Sequence, residues 1–281
     1  MILVAGGSGR LGTLLVRRLS ARGLDVRVLT RDPLRAQHLA GVASEIVVGD
    51  VRERSSLRKL VEEAETVVSA VHGFPGKGRV SPASVDRDGN ANLIDVAAEK
   101  GAHVVLLSVV GASRNHAMEL FRAKWAAEQH LRASAAPWTV VRATAYLELW
   151  AEIMAKPIVF GRGRNPINFV SVHDVAAVVE RCVLDPALRG RVLEVGGPED
   201  LTFLGLAELL QQLRGEKGSV RHVPRLMLRA GAPFSRRASA ALTMDSIDMT
   251  FDAAAARGAF ADIPSTDARS ALSRALTEHA G

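Results

Sequence analysis

The sequence predicts an α/β protein built on a doubly wound parallel sheet, and three observations predict it. Short, nearly unbroken apolar runs recur through residues 1–195, bounded by glycine, serine or charged residues, as strands buried on both faces require. Amphipathic stretches of helical period alternate with them, and the connections are too long for hairpins. The first apolar run, Met1–Ala5, feeds a cluster of glycines that opens a helix at about Leu11. No internal repeat competes with this reading.

The glycines satisfy two overlapping spacings, Gly7-x-Gly9-x-x-Gly12 and Gly6-x-x-Gly9-x-x-Gly12. Their missing side chains permit a tight turn, close approach to a pyrophosphate and close helix packing. Open amides and partial positive charge at the helix N-terminus attract phosphate. Strand, turn and helix in this order predict a Rossmann fold with a dinucleotide site at Gly6, Ser8, Gly9, Arg10, Leu11 and Gly12.

Composition narrows the class. With 281 residues, 48% of them hydrophobic and 23% charged, the chain is a globular protein with room for a sizeable core. No apolar run approaches the roughly 18 residues of a membrane span. The first strand begins at Met1 and leaves no room for a signal peptide, so a cytoplasmic location is expected. Cys182 is the lone cysteine and lies in a helical apolar pattern, as a packed core thiol does. The net charge of +6 is spread along the chain and aromatic residues make up only 4%, so no base-stacking platform and no nucleic-acid partner are expected. The eight histidines show no metal-ligand spacing, and Ser108 has no glycine two before it to form a nucleophile elbow.

Taken in order, the first helix runs to about Arg22 and Gly23 ends it. Asp25–Thr30 forms a second strand, followed at once by Arg31-Asp32-Pro33. Past this strand a carboxylate favours NAD, whereas arginine accommodates a 2′-phosphate. Asp32 before Pro33 reads as a helix N-cap, which leaves Arg31, helped by Arg10, for the phosphate and points to NADP(H). Glu45–Val48 is a third strand leading into Gly49-Asp50-Val51, with a charged helix over 53–63. Thr66–Val71 is the fourth strand. His72–Pro82, rich in glycine and proline and carrying Lys77 and Arg79, reads as a mobile loop at the carboxyl edge of the sheet, where ligands bind. A helix over 83–100 ends at Gly101. His103–Leu107 is a fifth strand running into Ser108, residues 116–134 form a helix, and Trp138–Arg142 is the sixth strand.

Past residue 150 the pattern is irregular. Ile158–Phe160 and Ile167–Val170 read as short strands. Ser171 and Asp174 fit a capping box ahead of helix 175–184. Arg191–Val195 adds a strand to the sheet, and Thr202 caps helix 203–214. From Arg221 the chain is basic and then alanine-rich, expected as short helices packed as a lid over the carboxyl edge. Residues 1–155 are thus expected to form the dinucleotide-binding domain, with 171–197 returning to it, and 156–170 and 198–281 a small C-terminal substrate and lid region.

On the helix over 116–134, residues Ala117, Leu120, Phe121, Lys124, Ala127, Glu128 and Leu131 fall on one stripe. A charge at the centre of such a stripe needs a partner. Two readings of Lys124 stay open. It pairs with Glu128 one turn on, or it points to the end of the fifth strand, where a nicotinamide ribose would lie.

These residues resemble the atypical short-chain dehydrogenase/reductases, specifically the NmrA-like proteins and relatives such as isoflavone-reductase-like enzymes and photosystem assembly factors. The resemblance rests on Val4–Gly12, Thr30–Pro33, Gly49-Asp50, Gly89–Ala98, Ser108, Lys124 with Glu128, Pro137–Arg142 and Phe169–Ala176. It implies an NADP-preferring Rossmann domain with Asp50 and Val51 near the adenine. It also implies that the ends of the fourth and fifth strands, Ala70, Val71 and Ser108, line the cofactor, and that Lys124 assists hydride transfer.

One departure outweighs these matches. Many members of the wider superfamily place a tyrosine one helical turn before the lysine, as the proton carrier. Here that place is Leu120, and the only tyrosine, Tyr146, has Trp150 four residues beyond it. A positioned acid or base supplies about 10²–10⁴-fold, so alcohol–ketone interconversion and sugar epimerisation are not expected. Tyr146 follows the sixth strand, where it faces substrate or packs as an ordinary aromatic. The expected activity is hydride transfer from NADPH to a small conjugated acceptor, a quinone or an enone, protonated by water. The alternative is a non-catalytic NADP(H)-binding redox sensor or assembly factor that reports to a protein partner.

Overall fold

The structure, a computed structural model, describes every residue except Pro75, Lys77, Arg257, Ala259 and Gly281. Lys77, one of the two loop cations singled out above, therefore lies outside the described residues.

The chain runs β1 (Ile2–Ala5), α1 (Arg10–Ala21), β2 (Val26–Thr30), β3 (Glu45–Val48), α2 (Arg54–Val61), β4 (Thr66–Ser69), α3 (Asp88–Glu99), β5 (His103–Val109), α4 (Glu119–Ala133) and β6 (Trp138–Ala143). It continues with β7 (Ala145–Tyr146), α5 (Leu147–Ile153), β8 (Ile158–Phe160), β9 (Pro166–Val170), α6 (Val172–Leu184), β10 (Arg191–Val195), β11 (Asp200–Thr202) and α7 (Phe203–Arg214). The last elements are β12 (Arg221–Val223), α8 (Arg225–Gly231), α9 (Arg236–Met244), α10 (Ala253–Ala256) and α11 (Ala268–Ala280). Two compact units result. One is Met1–Arg142 with Val175–Glu194, and the other is Ala143–Asp174 with the chain from Val195 onward.

The first unit holds the expected Rossmann fold. Its seven-stranded sheet has the order β3-β2-β1-β4-β5-β6-β10, and the β1–β2, β2–β3, β1–β4 and β4–β5 pairs are parallel. Strand order reverses between β1 and β4, which opens a crevice at their carboxyl ends. Leu3, Val67, Val104 and Leu106 from the sheet form one buried cluster with Leu57, Val61, Leu93, Ile94 and Leu131 from the helices. Each such side chain contributes about 1.5–3 kcal/mol by leaving water, which fixes the strands in register. Cys182 is buried as expected, and burial pushes its thiol up to about 12.

Helix 83–100 is not one α-helix. Residues Pro82–Arg87 wind as a π-helix before α3 begins. Ser81 caps it, exchanging hydrogen bonds with Ser84 in both directions. The Asn90 side chain donates to the Asp86 carbonyl at 2.8 Å, competing with the backbone amide that an α-helix would place there. Pairing on β4 likewise stops at Ser69 rather than Val71.

In the second unit β11, β9 and β7 form one small sheet and β12 pairs with β8. Thr202 caps α7 as expected, accepting from the Gly205 amide. The capping box at Ser171 needs correction. The Asp174 carboxylate accepts from the Thr266 amide and hydroxyl at 2.7 and 2.8 Å. Glu148 of α5 instead accepts from the Ser171 hydroxyl at 2.7 Å and the Val172 amide at 2.9 Å. The reciprocal arm of a capping box is usually a glutamate or glutamine, and aspartate is one methylene shorter.

Burial also decides a protonation state. The Thr139 hydroxyl donates to the Leu188 carbonyl, so the His103 Nε2–H must donate to Thr139 Oγ1, at 3.0 Å. Nδ1 of His103 is buried without a hydrogen-bond partner, and burial lowers the imidazole pKa to about 4. The unfolded chain takes up this proton near pH 6.5 while the folded chain does not, so stability is complete above that pH and declines as pH falls towards 4. Denaturant unfolding between pH 7 and pH 4 is expected to show a loss on the order of 2–3 kcal/mol that His103→Gln flattens.

Candidate dinucleotide-binding site

The site is built on two main-chain segments, one leaving β1 and the other leaving β4. Gly6 has φ +83°, and a Cβ there would lie 2.7 Å from the Ala70 carbonyl oxygen. A Cβ on Gly12 would lie 2.2 Å from the Gly6 carbonyl oxygen. The loop therefore closes only without side chains, folded on itself and on the end of β4. The Gly9 amide donates to the Gly6 carbonyl at 3.0 Å, and no side chain caps α1 and no acidic residue sits in its first turn. That arrangement suits an anion at the helix N-terminus. Ser8 bonds to Thr30 at 3.1 Å and so ties the loop to the end of β2.

Asp32 does cap, accepting from the Leu34 amide at 3.0 Å, ahead of a 3-10 helix over Pro33–Leu39 rather than an α-helix. Arg31 is left exposed. It faces Asp50 closely enough to help lower the pKa of that carboxyl. The larger cause is Arg52, whose Nε donates to both Asp50 oxygens at 3.0 Å. Sequence reasoning missed Arg52, although its spacing two residues after Asp50 is the available signal. Val51 is buried, and its carbonyl accepts from the Asn92 side chain at 3.0 Å.

The other wall is a buried polar network. Ser69 donates to Asn90 at 2.5 Å, and the Gly73 amide donates to Asp86 at 2.7 Å. Lys124 Nζ donates to the Val71 carbonyl at 3.0 Å and ion-pairs with Asp86 Oδ1 at 3.0 Å. Asp86 is 0% exposed and Lys124 5%. Lys124 therefore does not pair with Glu128, and its ammonium reaches the end of β4 rather than β5. Asp86 was missed because a wheel drawn on one helix cannot show a partner on the preceding π-helical turn. Glu128 takes the Ser108 hydroxyl at 2.5 Å and the Arg142 fork at 2.9 and 2.7 Å. Ser108 thus spends its proton on Glu128 and offers only an acceptor oxygen.

His72, also unremarked in the sequence, follows this network. Much of its surface reaches solvent, yet the ring is crowded by protein, which lowers its pKa; Asp86 opposes the shift, and Lys124 and Arg31 add to it. Tyr146 lies in the second unit, partly buried, and burial with the nearby Glu148 carboxylate raises its phenol well above the ordinary value. The same unit holds an apolar cleft lined by Trp150, Ile153, Phe160 and Phe203, with the Trp150 and Phe203 rings 4.5 Å apart. Among the described residues, no group of three or more His, Cys, Asp or Glu is placed to hold a metal ion.

A glycine loop of this shape at the reversal point of a doubly wound sheet defines a dinucleotide-binding protein. The chain belongs to the family whose model is described as NAD(P)H-binding, which matches residues 6–186. It is 24% identical over 235 residues to a photosystem II assembly factor of Trieres chinensis, covering 81% of this chain and 73% of that protein. It is 26% identical over 222 residues to an NAD(P)H azoreductase of Xenophilus azovorans, covering 76% and 74%. Its fold matches an NADPH-dependent quinone oxidoreductase of Escherichia coli with a TM-score of 0.78, at 18% identity over 98% of this chain and 100% of that one. No described helix is long and apolar enough to cross a membrane.

Two substitutions test the walls of the site. Arg31→Ala is expected to weaken NADPH binding about tenfold or more and to leave NADH binding nearly unchanged by calorimetry, since a hydrogen bond to a charged group contributes about 1.5–3 kcal/mol. Lys124→Ala strands a buried carboxylate and is expected to lower unfolding free energy by about 3–5 kcal/mol, most of it regained in Lys124→Met with Asp86→Asn.

Proposed function

We propose that the protein is a cytoplasmic NADPH-dependent reductase that transfers hydride to a small planar conjugated acceptor, of quinone or enone type. The observation that carries this reading is the pairing of an intact glycine cradle with a lysine helix that has Leu120 where a proton-carrying tyrosine would stand. Bound NADPH supplies the hydride.

Gly6, Gly9 and Gly12 admit the diphosphate to the N-terminus of α1, and Arg31 selects the 2′-phosphate. Asp50 and Val51 line the adenine end, while Ala70, Val71 and Ser108 line the rest of the cofactor. Lys124 holds the Val71 carbonyl while Asp86 holds the Gly73 amide, and the remaining ammonium proton would serve a ribose hydroxyl of the bound cofactor. With no phenol beside it, the acceptor takes from solvent the one proton that follows the hydride, which a conjugated acceptor tolerates and a simple ketone does not. The azoreductase and the quinone oxidoreductase, by their names, act on acceptors of this electronic kind. The apolar cleft of the second unit supplies aromatic surface of the kind such an acceptor would pack against.

The second reading is a non-catalytic NADP(H)-dependent assembly or sensor protein. It is favoured by the engagement of Lys124 with Asp86 and by the photosystem assembly factor among the relatives. NADPH oxidation measured over a panel of quinones, azo dyes and enones separates the two. Turnover with one of these classes, and none with secondary alcohols and NADP⁺, is the expected result. Cofactor binding without turnover across the panel, with a protein partner recovered only in one cofactor state, would establish the second.

A further inference from the structure

From Lys217 to Met244 the chain carries Lys217, Arg221, Arg225, Arg229, Arg236 and Arg237 and not one aspartate or glutamate. Among the described residues, several arginines outside this segment lie against carboxylates, Arg54 and Arg58 on Glu99, Arg87 on Asp88, and Arg18 and Arg22 on Glu180. Within this segment Arg225 reaches a carboxylate, Asp245, which lies just beyond its end.

Beyond β12 the segment folds as a helical hairpin of α8 and α9 whose buried side is settled. Leu228 of α8 and Ala240 and Met244 of α9 are buried. The opposite side of α8 presents Leu226 at 77% exposure and Met227 at 63%, and the turn between the helices carries Phe234 at 92%. Single exposed leucines are ordinary in any protein. Three large exposed apolar side chains between residues 226 and 234, with the exposed cation Arg229 among them and Arg237 three residues beyond, are a different matter.

We propose that this hairpin docks the protein on the surface of an anionic lipid bilayer, with Phe234, Leu226 and Met227 entering the headgroup boundary and Arg229 and Arg237 meeting the lipid phosphates. The inference is independent of the reaction assigned above. Such a surface satisfies both halves of the patch, because it offers negative charge above an apolar layer. A second copy of this chain fits badly, since a two-fold interface on the same patch would set its cations against each other. An acidic protein would answer the charge but leaves a side chain as exposed as Phe234 without an apolar layer to enter.

The test is co-sedimentation of the full chain with phosphatidylcholine vesicles, with and without phosphatidylglycerol. Binding is expected only to the mixed vesicles and should weaken as salt rises. Arg229→Glu with Arg237→Glu, and separately Leu226→Ser with Phe234→Ser, should each lower the bound fraction about tenfold or more. Both double variants should keep the wild-type unfolding midpoint and NADPH affinity, which shows that the chain remains folded. Three results would overturn the proposal: no binding to mixed vesicles, wild-type binding by the serine variant, or a wild-type dimer in sedimentation velocity that Phe234→Ser dissolves.

Discussion

Asp86 and Lys124 are both removed from water, and between them they hold the main chain at Val71 and Gly73. Neither charge is tolerable alone at that depth, so the π-helical turn and α4 can pack only with the pair formed. The backbone they fix begins at the end of β4, the same backbone against which Gly6 closes. The glycine loop is thus shaped from below by a salt link that it does not touch. The geometry offered to a diphosphate depends on two side chains that are absent from the glycine motif.

Much of this fold is legible in the order of the residues. Apolar runs long enough for buried strands, each followed by an amphipathic stretch, leave few arrangements other than a doubly wound sheet. Pro33 makes Asp32 a cap and so separates the roles of two adjacent charged residues. The absence of a tyrosine before Lys124 is visible without any structure.

What stayed hidden was pairing across elements. Helical spacing offered Glu128 to Lys124 because a wheel sees one helix at a time. In the folded chain Glu128 turns to Ser108 and Arg142, and the lysine turns to a carboxylate 38 residues earlier in sequence. Asp174 shows the same limit, since Thr266 lies far along the chain and no local pattern announces it. Carboxylates buried in this protein choose arginines, lysines and amides brought by topology, and local spacing is a poor guide to which one.

The π-helical turn at Pro82–Arg87 has a consequence for how this segment can vary. It accommodates more residues per turn than the α-helix it joins. Deleting one residue there would let the segment wind as an α-helix and change the direction in which Asp86 leaves the axis relative to Pro82 and Ser81. Segment length at this point is therefore constrained as tightly as side-chain identity, and shortening by a single codon would do what no conservative replacement does.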